Sequence, residues 1–349
     1  MDLSFYKNKT VFITGHTGFK GSWLCRILLL AGAKVKGYSL QSPTQPNLYD
    51  LMNLYNDVNS ITADIRDFGA LKTAVKDCSP DIVFHMAAQP IVRESYSDPV
   101  YTYETNVMGT VNLLEACRGV ASIKSIVNVT TDKVYENKEW QWGYRENENL
   151  CGYDPYSNSK SCSELVTYSY INAFFNNDDS PAVSTARSGN VIGGGDFATD
   201  RIIPDCVRAA AKNEKIIVRN PYSIRPYQHV LDTLFGYLLL AQRQYEDKAI
   251  GGSYNFGPNE DGCVTTGELV TLFCQSWGGG LEWENKHDGG PYEAAFLKLD
   301  CSKARAILKW KPEINIEKAV DYTVEWSKNW INGQSVTECM ERQISNISS

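Results

Sequence analysis

The sequence predicts an α/β fold: a doubly wound parallel sheet with a second, smaller α+β domain. Three observations carry this reading. Short β-branched apolar runs recur at 10–14, 34–40, 61–64, 82–88, 125–130 and 182–188, nearly continuous, as strands buried on both faces are. Helical patterns separate them: Tyr103, Val107, Val111 and Leu114 keep a three-to-four spacing, and a second helix begins near Tyr156 and carries Leu165, Tyr168 and Ile171. Strand alternating with helix implies parallel pairing. After about residue 190 the pattern changes: Gly193, Gly194, Gly195 and six prolines (Pro204, Pro221, Pro226, Pro258, Pro291, Pro312) cut the chain into shorter pieces. That half reads as a smaller, loop-rich domain laid against the first. The polar tail after Thr337 is expected to be loosely ordered.

Composition bounds the partners. The 349 residues suffice for about two domains. With 34 Lys+Arg against 41 Asp+Glu, the net charge of −7 argues against nucleic acid or an anionic membrane as a general partner. It leaves room for a local basic pocket. Ten cysteines stand singly, with no C-x-x-C pair, and read as buried thiols in a reducing compartment. The start, Met1-Asp2-Leu3-Ser4, is not a signal peptide, and the apolar run 27–31 is too short to span a bilayer. A cytoplasmic protein without a membrane anchor is expected.

The first strand runs into Gly15-His16-Thr17-Gly18-Phe19-Lys20-Gly21, and a helix follows through Trp23, Leu24, Ile27 and Leu28. In that context glycines allow a tight turn and let backbone N–H groups approach a pyrophosphate at a helix N-terminus. The spacing is G-x-x-G-x-x-G, not G-x-G-x-x-G. A ribose-reading acid is expected at the end of the second strand, where Ser39 stands instead, with no carboxylate until Asp50. No arginine stands there for a 2′-phosphate either, which favours NAD. Asp64-Ile65, after the third strand, either cap an adenine or form a plain strand-end turn.

Tyr156 and Lys160 lie four apart, on one face of a helix. A lysine cation beside a phenol is expected to lower the phenol's pKa. Just upstream, the fifth strand ends in Val129-Thr130-Thr131-Asp132-Lys133, and strand ends of such a sheet are where ligands bind. Thr131 offers a hydroxyl, Asp132 a carboxyl and Lys133 an amine.

Gly15/Gly18/Gly21, His85-Met86-Ala87-Ala88-Gln89, Asn106 and the Tyr156/Lys160 pair resemble the pattern of the extended short-chain dehydrogenase/reductase family. Longer stretches are similar to its nucleotide-sugar 4,6-dehydratases, those acting on CDP-glucose above all: 15–23, 105–110, 137–140, 142–148, 152–160, 189–196, 224–226, 228–230 and 297–304. The resemblance implies a Rossmann-like NAD-binding domain over 1–190, with a returning segment near 228–256, and a nucleotide-sugar-binding domain over 191–227 and 257–335. It implies a cofactor shell of Gly15, Thr17, Gly18, Phe19, Lys20, Gly21, Ser39, Asp64, Ile65, Ala87, Ala88, Gln89, Asn106, Tyr156 and Lys160, and no metal.

The implied reaction is a redox-neutral dehydration serving deoxysugar or O-antigen synthesis. Tyr156 takes the sugar 4-hydroxyl proton while hydride leaves C4 for NAD; the 4-ketone acidifies C5–H; water leaves from C6; the hydride returns to C6. Thr131 would bond the 4-oxygen, Asp132 would protonate the departing C6 hydroxyl, and Lys160 would lower the Tyr156 pKa. The wider family often has Asp-Glu in this loop, with Glu as the C5 base. Here Lys133 stands there, and it either takes the proton or polarises the ketone while another group does so.

A nucleotide diphosphate needs cations, and the second half supplies Arg187, Arg201, Arg219 and Arg225. Arg225 matches the family's diphosphate-binding arginine, and Asn190 a diphosphate or sugar contact. Arg201 and Arg219 fit surface ion pairs equally well. His229 reads as a packed core histidine, and His16 as packing or meeting the pyrophosphate. Where the CDP-glucose enzymes carry Pro-His-Glu-Ala-His, this chain has Pro291-Tyr292-Glu293-Ala294-Ala295, and Tyr227 replaces a tryptophan beside Arg225. The substrate expected is thus a nucleotide-diphosphate sugar, CDP-glucose first, with another nucleotide hexose or heptose, or C4 epimerisation, as alternatives. A catalytically silent dinucleotide sensor is a third reading, and the presence of Tyr156, Lys160 and Thr131 argues against it. Apolar residues on several sides of the helices at about 100–117 and 156–175 predict a homodimer, alone or as a dimer of dimers.

Overall fold

A computed structural model describes residues 2–286 and 295–348. Six strands alternate with helices through the first half: β1 (Thr10–Thr14), β2 (Lys34–Ser39), β3 (Asn59–Thr62), β4 (Ile82–His85), β5 (Ser125–Val129) and β6 (Ala182–Ser188). Four short strands follow: β7 (Val191–Ile192), β8 (Ile216–Val218), β9 (Ile224–Pro226) and β10 (Gln228–His229). The chain then returns through helix Val230–Glu246 to β11 (Ser253–Phe256), and β12 (Cys263–Thr265) and β13 (Trp283–Asn285) complete the set. The main sheet has the order β11-β6-β5-β4-β1-β2-β3, and every pairing in it is parallel. The strand order reverses between β1 and β4, the switch point at which such sheets open a crevice. The small pairs β7/β10, β8/β13 and β9/β12 lie beyond it.

Alternate strand residues feed two hydrophobic layers, as a period of two requires. Val11, Ile13, Phe84, Val127 and Ala186 pack on one face with helices Phe19–Leu30 and Val230–Glu246. Phe12, Val83, Ile126 and Val183 pack on the other with helices Phe68–Cys78 and Gly109–Cys117. A core continuous with the first layer extends into the second half through Trp310, Ile316, Val320 and Trp326.

Several expectations need correcting. Strands β2, β4 and β5 stop at Ser39, His85 and Val129, short of the apolar runs that continue to Leu40, Ala88 and Thr130. Beyond those points the chain leaves the ladder for loop contacts: the Thr14 hydroxyl takes the N–H groups of both Met86 and Ala87. Strand β3 begins at Asn59 because it is an exposed edge strand with no apolar marker at its start. The helix expected through Tyr103–Leu114 is broken by a π turn at Glu104–Met108, which pushes Asn106 inward. The tail after Thr337 is helix Val336–Ser348, not loose chain: Val336, Cys339, Met340 and Ile344 are buried at helical spacing against Ile316–Ile331. Of the ten free cysteines only Cys25, Cys117, Cys206, Cys301 and Cys339 are buried, and Cys151 is exposed. Among the described residues no helix is long and apolar enough to cross a membrane.

Candidate active site

A cavity of about 510 Å³ opens where β5 and β6 end and where Val191–Ile192, the segment 200–205 and β8 approach. Thr131, Asp132, Lys133 and Tyr156 all line it, as do Phe19, Lys20, Asn190, Arg201, Arg219 and Arg225. Local rules place the helix that carries Tyr156 and Lys160. Asp154 caps Pro155–Ala173 by accepting the Ser157 N–H at 2.9 Å, and Pro155 fits the first turn, where its missing N–H costs nothing. The Tyr156 N–H is taken by the Ser95 hydroxyl at 3.1 Å.

Behind the site lies a saturated polar network. Glu164, one turn beyond Lys160, accepts from the Thr130 hydroxyl at 2.5 Å and from the Thr185 hydroxyl at 2.6 Å. It also takes both arms of the Arg187 guanidinium at 2.9 Å, with both partners 2% exposed. The pair ties β5, β6 and the helix together just below Thr131. Arg187 is therefore internal and cannot serve a diphosphate, contrary to its inclusion among the candidate cations.

The titrating groups depart from expectation at one point. Lys160 Nζ donates to the Val129 carbonyl at 3.1 Å, and burial pushes its pKa down to about 8, partly opposed by Glu164. Burial pushes the Tyr156 phenol up to about 12. The Thr131 hydroxyl and the Arg201 guanidinium oppose the rise, while the Lys160 ammonium donates to the strand-end carbonyl of Val129. Asp132 is 1% exposed. Its Oδ1 accepts from the Thr131 hydroxyl at 3.0 Å, and its Oδ2 is buried with no hydrogen-bond partner. Burial raises its pKa, with Lys133 and Arg225 pulling the other way. A carboxyl so placed can hold a proton and give it up, which is what a general acid needs. Gly189 is required beside it: a Cβ there would sit 2.2 Å from Asp132 Oδ2.

The glycine loop is a close-packed cradle. A Cβ on Gly15 would stand 2.7 Å from the Ala87 nitrogen, and one on Gly21 2.2 Å from the Gly15 carbonyl. Gly18 caps helix Phe19–Leu30 with no side-chain hydrogen bond, so no side chain takes the first-turn N–H groups. Those are the features a pyrophosphate requires. Thr17 bonds the Ser39 hydroxyl at 2.9 Å and the Leu40 carbonyl at 3.0 Å, joining the loop to the end of β2. Lys20 departs from a pure loop role: its ammonium reaches the cavity, 5.7 Å from the Tyr237 ring, and burial with neighbouring Lys160 and Arg201 lowers its pKa to about 7.

Other residues proposed for the cofactor have their side chains committed elsewhere. Asn106 clamps the Gln89 N–H and carbonyl and bonds the Ser159 hydroxyl. Gln89 reaches Ile91 and Thr102. These two shape the loop after β4, with Ala87 and Ala88, rather than presenting side chains to a ligand. Ile65 is buried in the second apolar layer, with its carbonyl bonded by Asn112. Asp64 is held by Arg66, whose bonds keep its pKa low.

On the substrate side Arg225 is buried and Arg201 pairs with Asp196 at 2.9 Å. Arg219 pairs with Asp200 at 2.8 Å. Arg201 and Arg219 are each ion-paired, as one of the two readings expects, and each also lines the cavity. His229 caps helix Val230–Glu246 and is fully buried, and His16 is buried with Nε2 2.6 Å from the Ser60 hydroxyl. Tyr227 is buried and bonds Thr266. The 291–294 part of the departing Pro-Tyr-Glu-Ala-Ala stretch lies outside the described residues, while the Ala295 carbonyl accepts the Ile224 N–H at 2.9 Å. Sequence reasoning gave no role to Ser188, Gly189 or Tyr237. Gly189 alone left a signal, as the glycine preceding Asn190.

This fold and site define a dinucleotide-binding enzyme class, and comparison narrows it. A model of the family described as GDP-mannose 4,6 dehydratase matches residues 12–323. The chain belongs to that family. It is 48% identical, over all of its length and 99% of the relative's, to a CDP-glucose 4,6-dehydratase from Salmonella typhimurium. Among solved structures, an epimerase from Methanothermobacter thermautotrophicus superposes with a TM-score of 0.84 at 22% identity, covering 95% of this chain and 96% of the other. The dTDP-glucose 4,6-dehydratase of Bacillus anthracis, solved with NAD, gives 0.78 at 22%, covering 94% and 99%. The last two speak to the fold.

Proposed function

We propose that this chain is an NAD-dependent nucleotide-sugar 4,6-dehydratase, a hydro-lyase that converts CDP-glucose to CDP-4-dehydro-6-deoxyglucose and water. The full-length 48% identity to a CDP-glucose 4,6-dehydratase carries the reading, and the convergence of Thr131, Asp132, Lys133 and Tyr156 on one cavity supports it. The glycine cradle fits NAD at its pyrophosphate, between Gly15, Gly18 and Gly21. When bound, NAD supplies the acceptor and donor of hydride. The chain's own residues do the proton chemistry. Tyr156 takes the proton of the C4 hydroxyl, Thr131 orients that oxygen, and Asp132 protonates the leaving C6 oxygen. Lys133 faces the same space as the C5 base or as the group that polarises the ketone. The split between 1–190 with 228–256 for the cofactor and 191–227 with 257–335 for the nucleotide sugar belongs to the same reading, with Asn190, Arg201, Arg219 and Arg225 on the diphosphate and sugar.

We also read the chain as a cytoplasmic homodimer working in deoxysugar synthesis for O-antigen or lipopolysaccharide. Val100, Met108, Leu165 and Tyr168 are large apolar residues exposed on the two helical segments expected to pair. Mass spectrometry of products from CDP-, GDP-, UDP- and dTDP-hexoses tests the function. A product lighter by one water from CDP-glucose is expected; unchanged mass with an inverted C4 centre from any of them would assign an epimerase instead.

A further inference from the structure

One carboxylate oxygen in the cavity answers two arginines. Asp200 Oδ1 lies 2.8 Å from Arg219 Nη1 and 3.9 Å from Arg93 Nε. Arg219 directly follows β8, and Arg93 stands on helix Val92–Ser97, after β4, so the two come from parts of the chain far apart. Arg93, Asp200 and Arg219 all line the cavity.

Because both guanidinium groups meet the same oxygen, a single oxyanion reaches both at once. Guanidinium forks take phosphate oxygens as well as carboxylate oxygens, often through paired hydrogen bonds. The two ion pairs are partly wet: the side chains of Arg93 and Arg219 are each 32% exposed, and that of Asp200 is 37% exposed. Pairs of that kind contribute little to stability, so giving them up costs little. A nucleotide sugar brings two linked phosphates, with more charge and more acceptor oxygens than one carboxylate. An ordinary surface ion pair needs neither a second cation on the same oxygen nor a place on a cavity wall.

We propose that Arg93 is a diphosphate-binding residue, acting with Arg219, and that Asp200 is the internal anion that a phosphate oxygen displaces from both. The inference rests on the nucleotide-sugar reading and adds two things to it: a cation from the segment after β4, and a competitor for the cations. The sign of each substitution follows. Removing an arginine removes a ligand for the diphosphate. Removing the charge of Asp200 removes a competitor. The two changes therefore act in opposite directions. In a purely structural ion pair, losing either partner breaks the same contact and acts in the same direction.

Titration calorimetry of the NAD-loaded enzyme with CDP reads both signs. A wild type that binds none of CDP, GDP, UDP and dTDP overturns the nucleotide-sugar reading itself, and this inference falls with it. Otherwise the diphosphate that binds, CDP first, is the probe. Arg93→Ala, with Arg93→Gln as a second variant in case the first does not fold, should weaken its binding about 10-fold, with NAD affinity unchanged. Asp200→Asn should tighten it about 3- to 10-fold. In the double variant Arg93→Ala/Asp200→Asn that gain should shrink, because one of the cations that Asp200 competes for is gone. Unchanged diphosphate affinity in the Arg93 variants, or a parallel loss of NAD affinity, overturns the role of Arg93. Unchanged or weaker diphosphate binding in Asp200→Asn shows that Asp200 does not compete and overturns the exchange.

Discussion

The two ends of the cavity are built on different principles. At the chemical end each functional group stands on a strand terminus or a helix start, and a buried network backs it: Glu164 bonds Thr130, Thr185 and Arg187, and Ser161 bonds the Val134 carbonyl. At the end proposed for the nucleotide, Arg201 and Arg219 are partly exposed and already matched, with Asp196 and with Asp200, while Arg225 is buried. The first arrangement fixes geometry, which proton transfer needs within fractions of an ångström. The second presents charges that exchange one anionic partner for another, which suits a diphosphate that must enter and leave. Single changes should therefore act on kcat at one end and on KM at the other.

The largest effect is expected from Gly189→Ala. Its Cβ would collide with Asp132 Oδ2 and displace the acid without removing any catalytic group. We expect kcat to fall about 100-fold or more, with NAD binding near wild type and thermal stability lowered by the contact of the new Cβ with Asp132 and the Pro226 ring. A wild-type kcat would show that the chemical end tolerates movement and would break the contrast. A smaller effect is expected from Arg219→Ala. Removing a half-exposed, ion-paired arginine should raise KM about 3- to 10-fold with kcat little changed. A dominant fall in kcat would place Arg219 in the chemistry.

The smallest effect concerns stability. His229 is fully buried and neutral, its pKa pushed down to about 3 by burial and by nearby Lys318, against an ordinary value of 6.5. The unfolded chain binds a proton there below pH 6.5 and the folded chain does not. Its contribution is complete above pH 6.5 and is lost as pH falls toward 3. His229→Asn keeps a side-chain acceptor for the Leu231 N–H but never charges. The variant should lose stability at neutral pH. Its unfolding free energy, from urea titrations, should also depend less steeply on pH between 6 and 4, by about one proton, or about 1.4 kcal/mol per pH unit. An unchanged slope would mean that His229 is not buried in its neutral form.

The parts legible in the sequence were those written locally. The strands at Thr10–Thr14 and Ala182–Ser188 show as β-branched runs, and the cradle as three glycines after the first of them. Tyr156 and the Thr131-Asp132-Lys133 loop were found because both follow strand ends of a sheet whose topology alternation predicts. What escaped depends on contacts distant in sequence. The Arg187–Glu164 pair removes a candidate phosphate ligand through a partner 23 residues away. The capture of Lys160 by Val129 spans 31 residues, and burial among elements distant in sequence raises the Tyr156 phenol where the local pattern predicts a lowering. The clamp of Asn106 on Gln89 depends on a π turn that no residue pattern announces. The C-terminal helix was misread because its stripe of Val336, Cys339, Met340 and Ile344 is narrow and set among polar residues.

On the proposed function, protons move at this site so that oxygen leaves C6 while the C4 hydrogen stays in the molecule. The most direct measurement uses CDP-glucose deuterated at C4, with mass and NMR analysis of the product. The expected product is lighter by one water and carries the C4 deuterium in its C6 methyl group. A product of unchanged mass, with deuterium still on C4 and inverted configuration there, would contradict it.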